Sequence, residues 1–203
     1  IKIIKYILFF MKEKLWEASE QVKNKSNLFR YERFLQKNHN YKYSHKFNKL
    51  LEWSINNPSE FWSSIWDFAK VKGEKSFKFK YSKNLINSRF LIGSKLNFAE
   101  NLLSKDDDTK AITFISENGF KDIRSWNQLR ANASKIIKFF KKIKIKEKDR
   151  VAAYLPNIIE TVESFIATSS IGAIWSSCSP DFGVNGVIER FIQIKPKIID
   201  YWR

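Results

Sequence analysis

The C-terminal half of the chain repeats a pattern that few folds accommodate: an apolar run, a turn, and a segment with helical spacing. Residues 150–155 and 173–178 are the apolar runs, and segments of helical periodicity follow them at 158–170 and 184–194. A third apolar run begins at Lys197. Strands joined by one short helix pair in parallel through right-handed crossovers, and strands covered on both faces are continuously apolar. The pattern predicts an α/β fold that begins a layered parallel sheet.

Two turns follow the predicted strands at the place where such sheets bind ligands. Pro156-Asn157 follows the first strand, and Ser-Pro-Asp-Phe-Gly at 179–183 follows the second. Ligands of open parallel sheets collect beyond the carboxyl ends of the strands. The pattern therefore predicts where a ligand binds but does not identify the ligand. Because the third run ends almost as it begins, we expect an open sheet edge and an association-prone region at 111–200.

A hairpin and a helix are predicted before the sheet. Residues 111–116 and 120–123 flank a Glu-Asn-Gly turn, which favours two antiparallel strands. Ser125 and Gln128 have the spacing of a capping box at the start of a helix. The apolar face of that helix is formed by Leu129, Ala133, Ile136, Ile137 and Phe140.

The region before the hairpin, residues 11–104, is predicted to be a mostly helical cap. Helices are expected at 27–35, 60–70 and 95–103, and the many rings of the second are expected to pack into a core. Residues 1–10 (IKIIKYILFF) are too short an apolar segment for a signal peptide, and we expect translation to start at Met11, which makes them an upstream extension. The single cysteine and the lack of a membrane-length apolar run predict a cytoplasmic protein without a membrane partner.

The chain is strongly basic, with a net charge of +16 over 203 residues. A small nucleic-acid-binding module is therefore one open alternative. The basic residues are 29 Lys and only 8 Arg, and they are spread along the chain. This distribution favours solvated faces over a groove that follows phosphates, so we expect no nucleic-acid partner.

No catalytic constellation is visible in the residues themselves. Phosphate-binding loops, dinucleotide fingerprints, zinc-protease motifs and nucleophile elbows are all absent from the sequence. Several residues that could carry chemistry are expected to be structural instead. His39 and His45 are expected on the surface without a carboxylate partner, and Glu160 and Glu163 on a solvated helix face. Cys178 is expected to be a buried inert thiol, and residues 106–108 (Asp-Asp-Asp) a solvated loop rather than a metal site.

The same residues resemble a known family. Residues 145–197, from IKEKDRVAAYLPN to ERFIQIKPK, resemble the early part of the AMP-forming acyl-CoA synthetases of the adenylate-forming superfamily. Within that family, AIWSSCSPDFGVNGVIERF at 173–191 is most similar to acetoacetate–CoA ligases. FWSSIWDFAKV at 61–71 and SKLNFAENLL at 94–103 resemble the N-terminal cap of these enzymes. The resemblance implies that 11–104 is this cap and that 105–203 is the incomplete beginning of the AMP-binding domain.

The resemblance implies an acid–thiol ligase that uses ATP, Mg²⁺, CoA and acetoacetate. It also implies that the chain is an N-terminal fragment, inactive alone, because the motifs that bind ATP and the catalytic lysine would lie beyond Arg203. Ser179, Pro180, Asp181 and Phe182 align with a loop near the pantetheine path of CoA, although related enzymes are Gly-rich there. A turn in which Asp181 simply caps the next helix is the alternative. Another short-chain enzyme, such as an acetyl- or propionyl-CoA synthetase, and the oligomeric state both remain open.

Overall fold

The computed structural model describes residues 16–44 and 46–201. They form two compact units. The first runs to Val71 and includes Lys75–Gly93, and the second comprises Lys72–Glu74 and the chain from Ser94 onward. The family boundary predicted between residues 104 and 105 stays a prediction. The extension at 1–10 lies outside the described residues.

The first unit is helical, as predicted for the cap. Its elements are α1 (Glu20–Lys25), α2 (Asn27–Asn38), α3 (Phe47–Asn56), α4 (Pro58–Phe68) and a 3₁₀ turn at Leu85–Asn87. Helix α4 starts two residues before the predicted position because Pro58 occupies its first turn, where a fixed φ suits the helix. The core is built from Tyr31, Leu35, Tyr41 and Leu50, with rings of α4 packed against it. The Tyr31 hydroxyl lies 2.6 Å from the Ser64 hydroxyl inside this core. The aromatic helix is thus core, as expected.

The surface prediction for His39 is wrong. Its ring is half-buried, and its Nδ1 lies 3.2 Å from a carboxylate oxygen of Glu60. The ring also lies against Phe34, with centroids 5.8 Å apart. His39 is the C-cap residue of α2 and Glu60 lies in the first turn of α4, so the pair forms only when these helices pack, which the linear spacing of the sequence cannot show. His45 lies outside the described residues.

The second unit begins with a short helix and a hairpin. Helix α5 (Phe98–Leu102) is shorter than predicted, because residue 95 instead forms an antiparallel bridge with Glu74. Asn97 caps α5 by accepting a hydrogen bond from the Glu100 amide at 3.1 Å. Strands β1 (Lys110–Ile115) and β2 (Lys121–Ser125) pair antiparallel, as predicted. Helix α6 (Trp126–Lys142) follows, and both hydrogen bonds of its predicted capping box are present.

The crossover region has the predicted architecture. Its elements are β3 (Arg150–Tyr154), α7 (Ile159–Ser170), β4 (Ile174–Cys178), α8 (Val184–Ile194) and β5 (Ile198–Tyr201). The strands lie in the order β4–β3–β5 and both pairings are parallel. Val151 and Ile166 belong to a core that includes residues of α6, whereas Ala152, Cys178 and Phe191 form a second core with α8. The central strand β3 is therefore covered on both faces, since Val151, Ala152 and Ala153 are all buried, and this explains its continuous apolar run.

Local contacts at the start of the sheet explain several sequence choices. Gly172 has a φ of +70°, the left-handed backbone that the predicted C-terminal glycine requires. An added Cβ there would lie 2.9 Å from the Cγ of Glu147. Asp149 accepts hydrogen bonds from the Lys197 ammonium and the Lys146 amide, both at 2.7 Å.

The prediction for Glu163 is wrong, although Glu160 is exposed as expected. Glu163 is only 4% exposed. Its carboxylate accepts a hydrogen bond from Asn132 of α6 at 2.8 Å and lies 3.4 Å from the Arg124 guanidinium of β2. Arg124 also binds Asp122 through two bonds of 2.7 and 2.8 Å. This network joins β2 and α6 to α7, so the side of α7 that seemed solvated is an internal interface.

Candidate functional site

Two turns stand at the carboxyl edge of the parallel sheet. Pro156-Asn157 follows β3, and its backbone is held by the Thr161 hydroxyl, which donates to the Pro156 carbonyl at 2.7 Å. Residues 179–182, here called the β4 turn, follow β4. Both turns lie where ligands of parallel sheets bind.

The β4 turn closes on itself through short-range bonds. The Ser179 hydroxyl donates to the Asp181 carboxylate at 2.7 Å, and the Phe182 amide donates to the Ser179 carbonyl at 3.1 Å. Pro180, Asp181 and Phe182 are exposed, and Ser179 is half-buried. The four predicted site residues therefore come together as one solvent-facing turn that a ligand can approach.

Tyr154 anchors the turn from the neighbouring strand. Its hydroxyl donates to the carbonyls of Pro180 at 2.9 Å and of Phe182 at 3.2 Å. Tyr154 is the last residue of β3 and pairs in register with Cys178, the residue immediately before the turn. The parallel register thus places the phenol beside the β4 turn.

Arg190 supports the turn from α8. Its guanidinium carbon lies 4.2 Å from the centroid of the Phe182 ring, a cation–π contact. One of its nitrogens also donates to the Gly186 carbonyl at 3.3 Å. The turn therefore combines an apolar ring, a carboxylate and a neighbouring cation at an exposed edge.

The contacts of Ser179 differ from those of a serine nucleophile. A serine nucleophile needs an adjacent base that takes its proton and a third group that orients the base. Ser179 donates to Asp181, but the contacts of these two residues with described residues include no such third group. Asp181 also does not cap α8, because the cap residue is Gly183 and it makes no side-chain cap bond. The alternative in which Asp181 serves as a cap is therefore not what the structure has.

The other residues considered in the sequence stay structural. Cys178 is buried, and its thiol is free rather than part of a disulfide. Asp107 accepts a hydrogen bond from the Thr109 amide and holds a local turn. Asp108 accepts from Ser125 and Asn127, which ties its loop to the start of α6. Among residues 16–44 and 46–201, no three His, Cys, Asp or Glu side chains group as a metal site would require. The Mg²⁺ implied by the resemblance has no fitting ligand set in this part of the chain.

Sequence reasoning missed Tyr154 and Arg190. The tyrosine is a polar residue at the end of a predicted apolar strand, and the expected parallel pairing would have placed it beside residue 179. Arg190 follows Gly186 by four residues in α8, and side chains of a helix point back toward its N-terminus, which is the end beside Phe182. Both signals are present in the sequence, but they indicate contacts only when the pairing register of the strands and the position of α8 are known.

Within the described residues, no helix is both long enough and apolar enough to cross a bilayer.

Comparison with known proteins identifies the family. Residues 99–199 match the family model described as AMP-binding enzyme. The chain is 42% identical over 158 residues to acetoacetyl-CoA synthetase of Xenopus tropicalis, which covers 75% of this chain and 24% of that protein. It is 40% identical over 161 residues to acetoacetyl-coenzyme A synthetase of Rhizobium meliloti, and this alignment covers 77% of this chain and 25% of that protein. The chain thus spans about a quarter of the length of these relatives.

A solved structure supports the fold. The acetoacetyl-CoA synthetase from Streptomyces lividans superposes with a TM-score of 0.86 over 93% of this chain and 30% of that one, at 24% identity. This chain therefore shares the mixed α/β fold and parallel sheet of that solved structure, as predicted. The family match and these relatives confirm the resemblance stated from the sequence: the chain belongs to the AMP-binding enzyme family and is similar to acetoacetyl-CoA synthetases over about a quarter of their length.

Proposed function

We propose that this chain forms the first part of an AMP-forming acetoacetate–CoA ligase. The observation that carries the proposal is the parallel sheet with the β4 turn at its carboxyl edge, lying within the stretch that matches the family. The similarity to acetoacetyl-CoA synthetases supports acetoacetate as the acid.

The proposed reaction has two steps. The carboxylate of acetoacetate attacks the α-phosphorus of ATP, which forms acetoacetyl-AMP and releases diphosphate. The thiol of CoA then attacks the acyl carbon, AMP leaves, and the thiol proton passes to solvent. The first step depends on positioning and on stabilising phosphoryl charge, so its machinery needs cationic groups and a metal. We assign that machinery to parts of the enzyme other than the described residues.

The β4 turn belongs to the second step in this proposal. Ser179, Pro180, Asp181 and Phe182 border the pantetheine arm of CoA, which carries both apolar groups and amides. The exposed Phe182 and Pro180 offer apolar surface, and Ser179 and Asp181 offer polar atoms to the amides. The chain by itself binds substrates weakly and does not turn over.

The experiment uses two hybrid enzymes. In the first, called the hybrid enzyme below, the matched segment of this chain replaces the corresponding quarter of the Rhizobium meliloti synthetase. In the second, the same segment replaces the corresponding part of an acetyl-CoA synthetase. We expect acetoacetate-dependent formation of AMP and thioester by the hybrid enzyme, loss of activity in the acetyl-CoA synthetase hybrid, and none with the 203-residue chain.

The outcome separates the main proposal from its alternative. A segment that packs poorly against its host enzyme lowers the activity of the hybrid. The host in which this segment is more active therefore indicates the group of synthetases to which the segment belongs. An active acetyl-CoA synthetase hybrid beside an inactive acetoacetate hybrid would favour an acetyl- or propionyl-CoA synthetase instead. Turnover by the 203-residue chain would contradict its proposed inactivity. Circular dichroism of each hybrid shows whether an inactive protein is folded.

A further inference from the structure

Tyr154 is held at both ends of its side chain. Its ring packs against the core formed by Ala152, Cys178 and Phe191. Its hydroxyl donates to two carbonyls of the β4 turn, those of Pro180 and Phe182. The phenol therefore connects the fixed interior of the sheet to an exposed turn.

The β4 turn has few other restraints. Its further bonds are the contacts of Ser179 with Asp181 and Phe182, which lie inside the turn, and the stacking of Phe182 on Arg190. Phe182 and Arg190 are both exposed, so that contact is weakly held against solvent. Within the described part of the chain, the Tyr154 hydroxyl thus supplies the side-chain hydrogen bonds that tie the turn to the neighbouring strand.

Removing the hydroxyl alone leaves the ring in its core. The two carbonyls of an exposed turn then bind water, so the fold loses little while the turn gains freedom. A local change of this kind accelerates opening of the turn without altering the sheet beneath it.

We propose that Tyr154 is a positioning residue for the thiol-transfer step. Its hydroxyl fixes the backbone of Pro180 and Phe182, and so sets where the turn meets the pantetheine arm of CoA. This inference rests on the proposed function of the β4 turn. It assigns Tyr154 no role in adenylate formation, because the residue acts only through the turn.

The first measurement is amide hydrogen exchange in the 203-residue chain, which needs no activity. The Phe182 amide, which donates to the Ser179 carbonyl, reports on opening of the turn. Losing one net hydrogen bond corresponds to exchange about three- to tenfold faster in Tyr154→Phe. The matched control is Tyr201→Phe, which removes an exposed hydroxyl from the end of β5. An unchanged Phe182 rate in Tyr154→Phe, or equal acceleration in both variants, overturns the positioning role.

The second measurement is the kinetics of the hybrid enzyme. Tyr154→Phe is expected to raise the KM for CoA about three- to tenfold. Acetoacetate-dependent exchange of diphosphate into ATP, which reports the first step alone, is expected to stay unchanged. An equal loss in both steps indicates a merely structural role and overturns the inference.

The two measurements separate the inference from the proposed function. Faster amide exchange with an unchanged KM for CoA shows that Tyr154 holds the turn but that the turn is not beside CoA, which overturns the inference. An inactive hybrid enzyme with native Tyr154 counts against the proposed function, and amide exchange then still decides whether Tyr154 holds the turn.

Discussion

Replacing Glu163 by Gln tests whether the buried ion network stabilises the second unit. The carboxylate is 3.4 Å from the Arg124 Nε, a distance at which the gross attraction is about 5 kcal/mol for an effective dielectric of 20. Burial of the carboxylate costs several kcal/mol and offsets most of this gain. Gln keeps an oxygen for Asn132, and Arg124 keeps Asp122, so only the charge is lost. We expect a net destabilisation of about 1–2 kcal/mol.

Urea unfolding followed by tryptophan fluorescence measures the effect. With a slope of about 2 kcal/mol per molar urea, the midpoint falls by about 0.5–1 M. The matched control is Glu160→Gln, because this carboxylate lies at a similar distance from Arg124, 3.5 Å, but is 56% exposed. Its expected cost is about 0–0.5 kcal/mol.

A second variant tests the same network from the other side. Arg124→Met leaves Glu163 buried without its cation, so it is expected to cost about 3–5 kcal/mol, more than Glu163→Gln. The double variant is expected to cost less than the sum of the two. Equal shifts for Glu163→Gln and Glu160→Gln, or strict additivity in the double variant, would refute the role given to burial.

Four other positions in the second unit give predictions of their own. The hydrogen bond from the Lys197 ammonium lowers the pKa of Asp149, so the stability that this pair contributes is present above the unfolded pKa of about 3.9 and is lost as the pH falls through the folded value. In Asp149→Asn, the urea midpoint is therefore expected to depend less on pH below about pH 4. An unchanged pH dependence argues against the pair. Gly172→Ala, at a φ of +70°, is expected to lower the unfolding free energy by about 1–2 kcal/mol. Gly186→Ala inside α8 is expected to raise it by about 0.5–1 kcal/mol, and the same sign for both in urea titrations would contradict the backbone reasoning. Ile192 is 65% exposed on α8, so Ile192→Lys is expected to reduce concentration-dependent association in sedimentation velocity, whereas an unchanged profile would exclude this face.

The elements of the fold were predictable because their signals are local. Alternation of apolar runs and helical spacing gave β3, α7, β4 and α8 to within two residues. The capping box at Ser125 gave the start of α6. These patterns depend on neighbours in the chain, which the sequence displays directly.

The contacts that differ from prediction all join elements that are distant in the chain and come together only in the folded structure. Glu163 has the sequence context of a solvated acid, and only the approach of Asn132 and Arg124 buries it. His39 finds Glu60 through packing of two helices. The candidate turn at 179–182 was predicted from its place after a strand, but its anchor, Tyr154, belongs to the neighbouring strand and appears only once the register is known.

The assignment of the β4 turn to the CoA path is tested most directly by disulfide trapping. In the hybrid enzyme, a Ser179→Cys thiolate that lies beside bound CoA attacks the disulfide form of CoA, which forms a mixed disulfide and releases one CoA thiolate. Ser104→Cys, on an exposed loop before the hairpin, is the control. We predict that mass spectrometry shows faster CoA attachment at residue 179, with a rate that saturates as the CoA disulfide concentration rises. Equal, non-saturating rates at both positions would contradict the placement of this turn beside CoA.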